Sequence, residues 1–220
     1  IGFMTGSGCP PIPNLLEDLH PQCFGLFDRL NEVLSSENLI KTIVVSGCFN
    51  CYFIEQTTTV ADHGDKYNYY YLNGNERLYL RKGEGLAQSI VSMQEFLQGL
   101  TINYDVIFLG DNPMSDNFNP SIILSYINRG NSIFFDKRYP HFTIDDFTIT
   151  KEELLVDSQL RSSTPSKAKF ISLIEIICPN GICRSQANDR NPIYIDGNHM
   201  RPHLIKEVVG PHLIPHLGLD

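Results

Sequence analysis

Apolar residues along the chain gather in short unbroken runs, separated by stretches in which they recur every three or four positions. The runs Ile40 to Ser46, Asp105 to Leu109, Ser132 to Asp136 and Phe170 to Ile177 are flanked by turn residues and predict strands buried on both faces, as in a parallel sheet. Pro192 to Ile195 predicts a last short strand leading into Asp196, and Ile1 to Thr5 reads as part of another. Phe27, Leu30, Val33 and Leu34 recur at helical spacing within Phe24 to Leu34, and Leu86, Ile90, Met93 and Leu97 do so after Gly83 and Gly85. Thr150 and Glu153 have the spacing of a capping box ahead of Leu154, Leu155 and Leu160. His203 to Leu217 predicts a weaker closing helix, interrupted by Gly210, Pro211 and Pro215. Strand–helix alternation of this kind predicts a doubly wound α/β sandwich.

Two stretches are less regular. Gln56 to Arg81 is rich in Tyr and Thr and predicts a surface hairpin with half-buried rings, turning at Asn73 and Gly74. Asn112 to Pro120 is a polar loop after the strand that ends at Gly110, the position from which loops line the ligand crevice of open α/β sheets.

The chain has 220 residues, 42% of them hydrophobic and 19% charged, enough for one sizeable core and a single domain over 1–220. No run reaches the roughly 18 apolar residues of a membrane-spanning helix. Net charge is −8, from 17 Lys and Arg against 25 Asp and Glu, and no basic cluster offsets it. That argues against a nucleic-acid backbone or an anionic membrane surface as the main partner and favours a neutral or polar ligand.

Six cysteines fall into three local pairs. Sequence alone does not choose among their 15 connectivities, but the grouping favours Cys9–Cys23, Cys48–Cys51 and Cys178–Cys183, and hence an oxidising compartment. A four-cysteine zinc site on Cys48, Cys51, Cys178 and Cys183 is the rival reading; its second spacing is longer than usual. Redox catalysis at Cys48-x-x-Cys51 ranks below both, because Tyr52, Phe53 and Ile54 read as extended whereas thioredoxin-type motifs open a helix. His20, His63, His141, His203, His212 and His216 offer no metal-ligand spacing, so no metal is expected.

The sharpest local feature is Tyr194-Ile195-Asp196-Gly197-Asn198-His199. Asp and His three apart share one face if a helix starts after Asp196. A carboxylate there fixes the tautomer that a His needs to act as general base. On spacing alone the plainer reading leads, with Asp196 a helix N-cap and His199 a surface residue.

The flanking sequence shifts that balance. Cys178-Pro179-Asn180-Gly181-Ile182-Cys183 followed by Asn191 to His199 resembles the C-terminal block of SGNH hydrolase-fold domains, in particular those fused to membrane acyltransferases of family three, bacterial proteins that O-acetylate surface polysaccharides such as lipopolysaccharide. Thr5-Gly6-Ser7-Gly8-Cys9-Pro10-Pro11 is similar to the family's second block, and Ile43 to Asn50 to its third. The resemblance implies a three-layer α/β/α sandwich with a mainly parallel, flavodoxin-like sheet. It places the catalytic Asp and His on Asp196 and His199, and oxyanion-hole donors on Gly8 and near Gly47 and Asn50. It implies no cofactor, a periplasmic domain of an inner-membrane protein, an acyl donor delivered by a membrane domain and a polysaccharide acceptor. The family's nucleophile lies in a Gly-Asp-Ser block on the first strand. No such block occurs here, so the expectation is that this strand precedes Ile1 and that the 220 residues alone are inactive. Ser7, between two glycines, reads as a turn residue rather than a nucleophile. Phe49 stands where many relatives carry Trp, and Met200-Arg201-Pro202 replaces their Leu-Ser. The absent serine also supports a rival: a non-catalytic carbohydrate-binding or scaffold module of the same fold.

Overall fold

The computed structural model describes residues 2–6, 8–54, 69–80, 83–128, 146–187 and 191–217. The predicted strand Ser132 to Asp136 and most of the Tyr-rich stretch before Tyr69 lie outside these residues, as do Ile1 and Ser7.

Three parallel strands form the centre of the fold. β2 (Thr42–Val45) pairs with β5 (Asp105–Leu109), and β5 pairs with β7 (Lys169–Ile171). Side chains alternate across β5: Val106 and Phe108 join one buried cluster with Val45, Met93, Leu97, Val156 and Leu160, while Ile107 is buried from the opposite face. The continuous apolar run is therefore what a strand covered on both sides requires. Because the strands are parallel, their C-terminal ends release residues 46–50, 110–115 and 172 on one side of the sheet.

Helices supply the cover. α1 (Leu26–Ser36) and α3 (Glu84–Leu100) follow the predicted periodicity, and Phe27 of α1 meets Phe96 of α3 edge to face at 5.2 Å. α3 starts beside the strand Glu76–Tyr79, where a Cβ on Gly85 would lie 2.1 Å from the Leu78 carbonyl. α5 (Lys151–Ser163) opens with the full Thr150–Glu153 capping box. α4 (Pro120–Asn128) follows the polar loop. An antiparallel sheet of β1 (Leu15–Leu16), β3 (Tyr70–Asn73) and β4 (Glu76–Tyr79) flanks the core. Tyr70 is buried there, and its hydroxyl donates to Asp18.

Several expectations are corrected. Phe170 to Ile177 is not one strand: β7 ends at Ile171, and Ser172 caps α6 (Leu173–Ile177) by accepting from the Glu175 N–H at 3.1 Å. Ser172-x-x-Glu175 is itself a capping-box spacing, masked by the β-branched run around it. Pro192 to Ile195 makes only isolated bridges, Gln186 with Pro192 and Tyr194 with Met200. Gly2 to Thr5 form no strand. The hairpin turns one residue later than expected: Asn73 pairs with Glu76, so Gly74-Asn75 is the loop. Gly74 carries the positive φ there (60°), as a turn with glycine first requires. Tyr52 and Phe53 are helical rather than extended, because α2 (Phe49–Phe53) opens on Cys48, and only Ile54 has the expected extended backbone. The closing segment is an irregular helical run, with a π-turn at Ile205–Val209 between α-helical Pro202–Leu204 and Gly210–Leu213.

Candidate active site

The three parallel strands deliver two loops to one edge, and a third segment closes over them. Residues 46–50 lead from β2 into α2, and 110–115 leave β5. The 194–199 segment arrives from the far side of a second core. There Tyr194 is fully buried and stacks on Phe118 at 4.0 Å between ring centroids. β6 (Phe147–Thr148) and β8 (Ile182–Cys183) border that core.

Asp196 and His199 are brought together by a tight turn rather than by a helix. Ile195 N–H donates to the His199 carbonyl at 2.7 Å, closing the loop. Asp196 Oδ1 accepts the backbone N–H groups of Asn198 (2.9 Å) and His199 (2.8 Å), and Oδ2 lies 2.8 Å from His199 Nδ1. Burial works to raise the Asp196 pKa, but those two N–H groups, the imidazole hydrogen bond and the imidazole charge outweigh it, so the carboxyl sits below its usual range. An ionised Asp196 holds the proton of a neutral His199 on Nδ1 and leaves Nε2 as the basic atom. The His199 side chain is 72% exposed, so it is open to incoming groups.

A network that the motif did not reveal supports this turn. Ser115 N–H donates to Gly197 O at 2.9 Å. Asn112 Nδ2 reaches Asn198 O at 2.9 Å and the Tyr194 hydroxyl at 3.3 Å, and that hydroxyl donates to Pro113 O at 2.8 Å. Met114 N–H donates to Glu153 Oε1 at 2.7 Å, so the capping-box acid of α5 also anchors this loop. Burial raises the Glu153 pKa. The sequence marked the 112–120 loop as crevice-lining, but it carried no signal for which of its residues make these bonds.

Asn50 is fully buried. Its backbone N–H, in the first turn of α2, donates to Asp111 Oδ2 at 2.7 Å, and its Nδ2 reaches Asn112 O at 3.3 Å. Its Oδ1 is buried with no partner among the described residues. Asp111 thus caps α2 from another loop. It also accepts from Asn112 N–H at 2.9 Å. Burial dominates its titration and pushes its pKa up to about 7 against these two donors. Asn50 is therefore joined to the Asp196 turn through Asn112. Gly47 lies against Pro11, and Gly8, at φ 75°, lies under the His20 ring. His20 Nδ1 bonds the buried Glu17.

Cys9–Cys23, Cys48–Cys51 and Cys178–Cys183 are disulfide-bonded. With no free cysteine in the chain, the four-cysteine zinc reading falls. No helix among the described residues is long and apolar enough to cross a membrane.

Residues 1–211 match the family model of the SGNH domain fused to AT3 domains. No curated protein matches the chain. A similar solved structure is the periplasmic domain of the lipopolysaccharide acetyltransferase of Salmonella ser. Paratyphi A. It superposes with a TM-score of 0.51 at 16% identity, over 94% of this chain and 69% of that one, a likeness of fold.

Proposed function

The chain belongs to the family of SGNH domains fused to AT3 domains, and from that premise we propose that it serves acyl transfer to hydroxyl groups of a cell-surface polysaccharide or lipopolysaccharide on the periplasmic side of a membrane. One observation carries the reading: an ionised acid fixes the ring of an exposed histidine at the C-terminal edge of a parallel sheet, with Asp196 Oδ2 at 2.8 Å from His199 Nδ1.

The chemistry follows from that geometry. His199 Nε2 removes the proton of an attacking hydroxyl, and Asp196 stabilises the imidazolium that forms. The nucleophile in this reading is a serine of a Gly-Asp-Ser block, supplied by polypeptide outside these 220 residues. The acyl group passes from a membrane-domain donor to that serine and then to the sugar hydroxyl. Backbone N–H groups around Gly8 and Gly47 are the proposed oxyanion donors. Asn50 contributes through the Asp111–Asn112 loop, since its own N–H already serves Asp111.

The test is complementation. Cells lacking the gene, carrying the full-length protein or its His199→Ala or Asp196→Asn form, are assayed for O-acetyl groups on isolated surface polysaccharide by NMR. We expect each variant to lose acetylation by at least about 10³-fold, as triad members do. Undiminished acetylation with His199→Ala overturns the reading. The second reading is a carbohydrate-binding module, and polysaccharide binding by the unsubstituted full-length protein without any acetyl transfer would establish it.

A further inference from the structure

Of the three disulfides, Cys48–Cys51 stands apart. Its cysteines are three residues apart, against five and fourteen in the others, so it removes the least freedom from the unfolded chain. It is also the bridge in which neither cysteine is buried, whereas Cys23, Cys178 and Cys183 are buried in theirs. A bridge that adds little to stability and lies open to an attacking thiolate is a labile one. The sequence argument against redox chemistry here rests on an extended Tyr52 and Phe53, and both are helical. The bridge also borders the candidate active site. It encloses Phe49 and Asn50, both fully buried. Phe49 is fixed in the core against Phe108, edge to face at 5.3 Å. Asn50 gives its N–H to Asp111 at 2.7 Å and its amide to Asn112 O at 3.3 Å, and Cys48 Sγ lies 3.9 Å from Met114 Sδ. With five residues, α2 is too short for backbone hydrogen bonds alone to hold a helix in water. The covalent ring therefore fixes the turn that presents Asn50 to Asp111.

We infer that Cys48–Cys51 is a redox-active site: it exchanges with an external dithiol, and opening it loosens the contact between Asn50 and Asp111 at the edge of the sheet. A thiolate of the dithiol attacks one sulfur of the bridge. The Cys48–Cys51 bond breaks, and the other cysteine leaves as a thiolate and takes up a proton. The second thiol of the dithiol then gives up its proton and attacks the mixed disulfide, releasing the first cysteine as a thiolate that is protonated in turn. Two electrons and two protons pass to the chain, and the dithiol leaves as a disulfide. In the bridged form Asn50 Oδ1 is buried with no partner among the described residues, so relaxation of the turn gives that acceptor access to water.

The full-length protein is equilibrated with reduced and oxidised dithiothreitol at graded ratios, quenched, alkylated and digested, and each cysteine pair is scored by mass spectrometry. Cys48 and Cys51 are expected to be reduced together and reversibly, at a dithiol-to-disulfide ratio at least about 100-fold lower than Cys178–Cys183 requires. Where only Cys48–Cys51 is open, amide hydrogen exchange over residues 49–53 is expected to rise at least about tenfold while β5 keeps its protection. The Cys48→Ser, Cys51→Ser double variant is expected to show the same exchange without reductant. Opening of Cys48–Cys51 only at the ratios that open Cys178–Cys183 overturns the inference, as does unchanged exchange over 49–53 in the reduced protein. Reduced thioredoxin, run against dithiothreitol at equal dithiol concentration, identifies the source of the dithiol. Faster reduction by thioredoxin assigns the exchange to a protein dithiol, and equal or slower reduction assigns it to a small one. Neither measurement needs an acyl donor, so failure here is distinct from failure of the acyl-transfer reading, which the polysaccharide assay decides.

Discussion

Asp111 shows how much one residue can be displaced from its ordinary chemistry by its surroundings. Only 5% of it remains exposed, and two backbone N–H groups do not offset the cost of burying its charge. Its pKa stands near 7 against the ordinary 3.8. Between those values the folded chain holds a proton that the unfolded chain has released. The resulting stability is full below about pH 4 and is lost as pH rises through about 7. Burial of Glu153 and Asp157 raises their pKa values and acts in the same sense. Asp196, lowered, contributes in the opposite sense, at pH values below the ordinary carboxyl range. Urea unfolding at pH 5, 6 and 7 should therefore show stability declining with pH. Asp111→Asn should flatten that slope by at most about 1.4 kcal/mol per pH unit, the equivalent of one proton. It should also cost about 1 kcal/mol at the low end, because one of the two N–H donors loses its acceptor. Parallel slopes for the two proteins would show that Asp111 does not titrate in this window.

At the scale of elements, the junction at Ser172 decides where β7 stops. Its hydroxyl caps α6 by accepting from Glu175 N–H and donates to the buried Asp157 of α5 at 2.8 Å. One short polar side chain thus ends a strand, starts a helix and pins that helix to its neighbour. Ser172→Ala should destabilise by about 2 kcal/mol, combining a lost N-cap with a buried carboxylate deprived of a donor. Thr150→Ala should cost about as much, because the Thr150 hydroxyl likewise caps its helix and donates to the buried Glu153 at 2.7 Å. Chemical denaturation of both variants measures these costs, and a loss of no more than about 1 kcal/mol in Ser172→Ala would remove the Asp157 contact from the account. The Ser172-x-x-Glu175 signal was present in the sequence, but a five-residue helix inside Phe170 to Ile177 is too short for periodicity to separate from a strand.

For the molecule as a whole, three disulfides staple different regions with different exposure. Cys178 and Cys183 are 1% and 0% exposed, while Cys48 and Cys51 are both partly exposed. Exchange requires access for the attacking thiolate. Under mild dithiol reduction followed by alkylation and mass spectrometry, Cys48–Cys51 should open first and Cys178–Cys183 last. Earlier alkylation of Cys178 would contradict the packing of the second core. Loss of Cys9–Cys23, which closes a loop of about 15 residues, should cost about 3 kcal/mol on the chain-entropy account.

What depends on neighbours a few residues apart was legible in the chain: the apolar runs of β2 and β5, the periodicity of α1 and α3, the Thr150 capping box and the three-residue spacing of Asp196 and His199. Such features are written locally, because hydrophobic period, capping and short turns act over one or two turns of chain. The contacts that hold the pair in place form across long separations in the chain. Asn112 meets Asn198 across 86 residues, Asn50 meets Asp111 across 61, and Glu153 meets Met114 across 39. The parallel sheet brings these loops to one edge, and burial there raises the Asp111 and Glu153 pKa values. Neither the hydrogen bonds nor the desolvation leaves a trace in any local pattern, because both arise from chain segments that become neighbours only on folding.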